Sequence, residues 1–157
     1  MSTLHGMNLS VPLLLSIALT GNLCASVLMT GMVSFIQFVQ YPLLKHISSY
    51  DFSCYFKKYI TRISWVIYPI VIIEIIFATS LTFLPLQSKL QYPILITYIL
   101  LALITLNSFL IQAPLVQKLR FSFDEGLLTK IMFYNRLRFL SSVLRTIVLC
   151  WIVLFLR

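Results

Sequence analysis

SFIQFVQYPLLKHI, residues 34–47, closes a long apolar run with a glutamine two positions before a proline, then turns basic. SFLIQAPLVQKL, residues 108–119, repeats the arrangement later in the chain. Aligning Pro42 with Pro114 pairs Gln40 with Gln112, Leu43 with Leu115, Leu44 with Val116 and Ile47 with Leu119. Both copies continue through a basic segment into another apolar run, as expected of a duplicated helical hairpin. Each proline removes a backbone donor and frees a carbonyl one turn earlier, at Phe38 or Leu110. An unsatisfied polar group in hydrocarbon costs several kcal/mol. A glutamine amide at that level can donate to the freed carbonyl or to a neighbouring helix. On that reading the motif is a helix terminus built twice; a ligand role for Gln40 and Gln112 is the alternative.

The rest of the composition says why hydrocarbon is the relevant solvent. The 157 residues are 60% hydrophobic and 10% charged, with a mean hydropathy of +0.97, whereas soluble domains carry about 25% charged residues. A chain this short leaves much of its surface exposed and could not hide so much apolar area from water. The net charge of +8 does not indicate nucleic acid, because the Lys and Arg residues sit between apolar runs, as loops of membrane proteins do. Cys24, Cys54 and Cys150 are odd in number and far apart, so neither a disulfide framework nor a redox motif is expected. Residues 1–10 lack the basic n-region of a secretory signal, and the first apolar run is too long for one. It reads as a retained helix.

A spanning helix needs about 20 mostly apolar residues. Four segments qualify, 11–41, 63–84, 93–115 and 139–156, within one integral membrane domain covering 1–157. Pro12 and Pro93 are expected near helix starts, Pro85 at the end of the second span, and Pro69 at a kink inside it. The first run exceeds what a bilayer requires, so it should tilt or project into water. Connection 45–62 holds Lys45, Lys57, Lys58 and Arg62, and connection 117–138 holds Lys118, Arg120, Lys130, Arg136 and Arg138. The segment between the second and third spans offers only Lys89. Positive charge stays inside, which makes both basic connections cytoplasmic and both termini external. With two spans per copy, the repeats have parallel topology about an axis along the membrane normal.

Each basic connection also carries helical spacing: Phe52, Tyr55, Phe56, Tyr59, Ile60 and Ile63 in one, Leu127, Leu128, Ile131, Tyr134 and Leu137 in the other. Either these are amphipathic stretches lying on the inner surface, or they are the projecting first turns of the next helix.

Several polar residues fall where a membrane should be. Glu74 lies about 18 Å beyond Arg62 along its helix, and Arg145 about 10 Å beyond Arg138. Asn135, Arg138, Ser142 and Arg145 form one stripe on the fourth span, and Asn107 adds an amide to the third. Two readings stand. Glu74 and Arg145 are paired interior glue, with Arg145 able to reach toward the surface; or the stripe and Glu74 line a polar cavity that handles a head group or a proton. One acid and one base are few for catalysis. His5 and His46 share no span, so no metal constellation is expected. Ala18, Gly21 and Ala25 give the first span a face for close helix approach, while Tyr41, Trp65, Tyr92 and Trp151 fit interfacial belts.

The order GMVSFIQFVQYPL, YFKKYITRISWVIYPIVIIE, SFLIQAPL and NRLRFLSSVLRT resembles a family of small four-span bacterial membrane proteins of unknown function. That family is in turn distantly similar to the anthrone-oxygenase-like membrane proteins. Pro42, Arg62, Pro69, Glu74, Pro114, Asn135 and Arg136 match its pattern. The family favours histidines where this chain has Gln40, Tyr59 and Gln117. Any metal or acid–base role of those histidines is therefore not carried over.

The expected fold is an all-α, four-helix membrane bundle in the inner membrane of a bacterium. The expected function is to hold a hydrophobic small molecule or lipid in an intramembrane pocket near the inner leaflet. Candidate ligand-binding residues are Glu74, Arg145, Asn135, Arg138, Gln40, Gln112, Arg62 and Asn107. A structural or assembly subunit of a larger membrane complex is the alternative. Partners on these readings are membrane lipids, other membrane proteins or further copies of the chain, without nucleic acid. No cofactor or catalytic residue is assigned.

Overall fold

The computed structural model describes residues 3–84, 88–121 and 123–155, with side chains from Leu13 onward except Ser49, Ser88 and Lys89. Pro85 and Leu156, expected at the ends of the second and fourth spans, lie outside the described residues. Helix α1 (Thr3–Phe35) continues through a π-helical segment (Ile36–Gln40) into α2 (Tyr41–Leu44). Helix α3 (Ser49–Phe83) forms the second span. Helix α4 (Ser88–Leu106), a second π segment (Asn107–Gln112) and α5 (Ala113–Leu119) form the third, and α6 (Glu125–Phe155) the fourth. The stretches Leu13–Leu44, Tyr50–Phe83, Leu90–Leu119 and Glu125–Phe155 are each long and apolar enough to cross a membrane. The chain is a four-helix, multi-pass membrane bundle.

The two π segments fall at the same positions of the two aligned copies. In the first, the Tyr41 N–H reaches back five residues to the Ile36 carbonyl; in the second, the Ala113 N–H reaches Ser108. The next residue in each case is the proline, which cannot continue an α-helical ladder. The ladder therefore widens by one residue just before the missing donor. A wider turn also broadens the inward face: Ile36, Gln37, Gln40 and Tyr41 are all buried. Pro42 and Pro114 lie at one end of the bundle, where Leu44 and Leu119 join a single cluster.

That cluster separates the two readings of the basic connections. Helices α3 and α6 start at Ser49 and Glu125, so the connections shrink to short turns and the amphipathic stretches are the first turns of the spans. Phe52, Phe56, Leu128 and Ile131 are fully buried against Leu44 and Leu119 rather than lying on a surface. The starts are well specified. The Ser48 hydroxyl accepts from the Asp51 N–H at 3.3 Å, and Asp124 Oδ1 accepts from the Leu127 N–H at 3.1 Å. Asp51 and Glu125 sit in the first turns, where the helix dipole favours negative charge. At 35 residues, α3 is about 52 Å long, well beyond a hydrocarbon core of about 30 Å. The basic end of the bundle carries Lys57, Lys58, Arg62, Lys118 and Lys130 exposed. Pro93, expected at a helix start, lies inside α4, and Pro12 lies well inside α1. Helix α3 remains helical on both sides of Pro69.

A second apolar cluster, including Ala18, Leu81, Leu90, Leu149 and Ile152, closes the opposite end. Between the two clusters the core carries a polar layer, with Asn22, Ser26, Glu74, Thr97, Asn135, Arg138, Ser142 and Arg145 buried among Met29, Val33 and Leu101. Helix α1 packs along α3 and α6, and α4 packs along α6, whereas α3 and α4 meet only sparingly. Three sides of the bundle are closed. The seam between the second and third spans is not.

The close approach expected on the first span is present. Ala18 and Ala25 are buried, and a Cβ placed on Gly21 would stand 2.6 Å from the Phe77 ring. Outward-facing Leu28, Ile76, Leu103 and Leu144 are more than half exposed, which suits lipid as solvent and would be an aggregation liability in water.

Candidate functional site

The inward stripe of α6 runs Leu128, Ile131, Asn135, Arg138, Ser142, Arg145, Leu149 and Ile152, all buried. Spacings of three and four keep this line facing the bundle axis, and its middle half is polar. The stripe carries two guanidiniums, and the other spans treat them differently.

Arg145, 1% exposed, is bound by every other span. Its Nε donates to the Thr97 carbonyl at 3.1 Å, and Nη2 donates to Asn22 Oδ1 at 2.8 Å. Nη1 donates to Ser26 Oγ at 3.3 Å and forms an ion pair with Glu74 Oε1. The Ser26 hydroxyl is in turn 2.9 Å from that of Thr146. A guanidinium offers five N–H donors in a fixed fork, and four partners on three helices use it. This arrangement is the paired interior glue anticipated for Glu74 and Arg145. It locks the four spans together at mid-depth.

Arg138 lies two turns nearer the basic end and has no such partners. Only 9% of it is exposed, yet its Nη2 meets only the Met29 sulfur at 4.0 Å, and its Nε has no acceptor among the described residues. The interior thus sets one carboxylate, Glu74, against two guanidiniums, leaving an excess of positive charge. Neighbouring Asn135 is satisfied: its Nδ2 donates to Gln37 Oε1 at 2.8 Å.

The open seam between α3 and the third span leads into a cavity of about 490 Å³, a size usual for ligand pockets. Its side walls are mainly apolar, with Ile63, Ile67 and Val71 on α3 and Leu101, Ile104 and Val116 on the third span. The hydroxyls of Thr61, Ser64, Thr105 and Ser108 among them donate to carbonyls of their own helices. Its inner wall carries Met29 and Tyr41 from the first span and Asn135 and Arg138 from the fourth. Glu74 marks the deep end and Arg120 the basic end, while Gln112 projects from the second π segment. The Nε2 of Gln112 is buried without an acceptor.

Of the residues singled out in the sequence, Glu74, Arg138, Asn135 and Gln112 share this cavity. Arg145 is committed to the polar layer behind it. Gln40 donates to the Tyr55 hydroxyl at 3.3 Å, a bond to a neighbouring helix, and is not part of the cavity wall. Asn107 donates to the Tyr134 carbonyl at 3.5 Å, and Arg62 is exposed on α3; neither reaches the site. Tyr41, read from sequence as an interfacial belt residue, is buried and lines the cavity, because the π turn rotates it inward. Asn22, Ser26, Thr97 and Gln37 were not singled out. Asn22 and Ser26 had a legible signal, since they flank Ala25 on the small-residue face of the first span. Among the described residues, no group of His, Cys, Asp and Glu could hold a metal ion. Comparison of the chain with protein-family models, curated proteins and solved structures found no match.

Proposed function

We propose that this multi-pass protein holds a hydrophobic small molecule or lipid in the cavity between its second and third spans. The observation that carries the reading is a mainly apolar cavity with a polar inner wall, lying at the seam between α3 and the third span, which is loosely packed among the described residues. A membrane-dissolved molecule can enter there sideways, keeping its tail in hydrocarbon while its polar end meets Arg138, Asn135 and Gln112. The proposed setting is the inner membrane of a bacterium, with the basic connections cytoplasmic and the cavity opening toward the inner leaflet.

Native mass spectrometry of the protein in mild detergent tests the reading. A non-protein mass should accompany the wild type. It should be lost from Ser64→Trp, which places an indole in the cavity from a half-buried position on α3. Failure to see the mass, or its persistence in Ser64→Trp, would refute the proposal. A copurifying partner chain in its place would favour the role of an assembly subunit.

A further inference from the structure

We infer that the cavity selects an amphiphile whose head group is anionic and oxygen-rich, a carboxylate or a phosphate, with Arg138 as its principal partner. The inference rests on the pocket reading above and names the ligand class.

Three buried side-chain nitrogens lack a partner among the described residues: Asn22 Nδ2, Gln112 Nε2 and Arg138 Nε. All three are donors, and the residues bearing two of them line one cavity. Buried donors without acceptors are expensive, and a buried cation without a counter-charge more so. A ligand that satisfies both must present acceptor oxygens and carry negative charge. Glu74 does not meet this need, because its Oε1 is held by Arg145 and two guanidiniums face one carboxylate. A neutral head group, such as an alcohol or an ester, would accept a hydrogen bond but leave the excess charge unmatched. A free inorganic anion would match the charge and leave the apolar walls unused. Arg120 at the basic end of the cavity adds attraction for an anion approaching along the membrane surface.

Arg145 supplies the internal comparison. It stands on the same stripe of α6, and the fold gives it Glu74, Asn22, Ser26 and Thr97. Where this structure means an arginine to be structural, it surrounds it with acceptors. Arg138 has only the Met29 sulfur at Nη2 and no acceptor at Nε among the described residues.

The test compares oleate, oleyl alcohol, phosphatidic acid with oleoyl chains, and inorganic phosphate as ligands of the purified protein in a neutral detergent. Oleate or phosphatidic acid should bind at least about tenfold tighter than the alcohol, the advantage expected of a charge-assisted bidentate bond. The tighter of the two identifies carboxylate or phosphate, and either result supports the inference. Arg138→Gln should reduce the preference to within about twofold, while Arg62→Gln, the same charge change at an exposed site, should keep it. If Arg138→Gln does not fold, Gln112→Leu is the second variant; it should weaken oleate binding about threefold, and unchanged oleate binding there would overturn the placement of the head group on this wall. Equal binding of oleate and oleyl alcohol overturns the anionic requirement while the pocket stands. Loss of preference in Arg62→Gln, or inorganic phosphate binding as tightly as the amphiphiles, overturns it as well. If no amphiphile binds and Ser64→Trp changes nothing, the pocket reading falls and takes this inference with it.

Discussion

Replacing Glu74 with glutamine tests the polar layer most directly. The side chain keeps its volume and an oxygen that can accept from Arg145, but the buried charge changes from one carboxylate and two guanidiniums to two guanidiniums alone. Removing one member of a buried ion pair typically costs about 3–5 kcal/mol. The retained amide bond, together with Asn22, Ser26 and Thr97 on the same guanidinium, places the expected loss at the lower end, about 3 kcal/mol. For a chain of this length that corresponds to a fall in Tm of roughly 6–12 °C. Arg145→Met should cost more, since it strands the carboxylate and the Asn22 acceptor, the latter worth about 1 kcal/mol or more, whereas the Thr97 carbonyl keeps its place in the ladder of α4. The double variant Glu74→Gln, Arg145→Met leaves neither charge of the pair but keeps the orphaned Asn22 acceptor. It should therefore recover only part of the loss, with a coupling of about 2 kcal/mol between the two sites. Thermal unfolding in mild detergent, followed by tryptophan fluorescence, measures all four corners of the cycle. Simple additivity of the single losses would refute the pairing and the view of this layer as the element that locks the spans.

Gly21→Ala should lower stability by about 1–3 kcal/mol in the same assay, because the new methyl meets the Phe77 ring at 2.6 Å and forces it aside; adding Phe77→Leu should return part of the loss, and an unchanged Tm would mean that α1 and α3 are not in close contact there. Cys54 is exposed on the basic end of α3, so in a Cys24→Ser, Cys150→Ser background an impermeant maleimide should label it only after intact cells are permeabilised, and strong labelling beforehand would reverse the proposed orientation.

The sequence alone was enough to establish what depends on neighbours along the chain. Hydropathy over windows of about 20 residues reports the number of spans, and helical spacing places Asn135, Arg138, Ser142 and Arg145 on one buried stripe. Both are local properties, and the fold class follows from them. The repeated Gln-x-Pro marked the sites of two ladder defects, although their form as π turns, and the inward rotation of Tyr41, come from how each ladder accommodates its proline within a packed bundle. The division of labour between the two buried arginines was not legible in the same way. Arg138 and Arg145 share a helix face and a chemistry, and nothing in their sequence surroundings separates them. Asn22, Ser26, Glu74 and Thr97 lie on three other helices, and only the packing of those helices brings them to one guanidinium and not to the other. The cavity has the same origin: it is space left where α3 and the third span fail to close, a relation between surfaces far apart in the chain that interhelical packing alone decides.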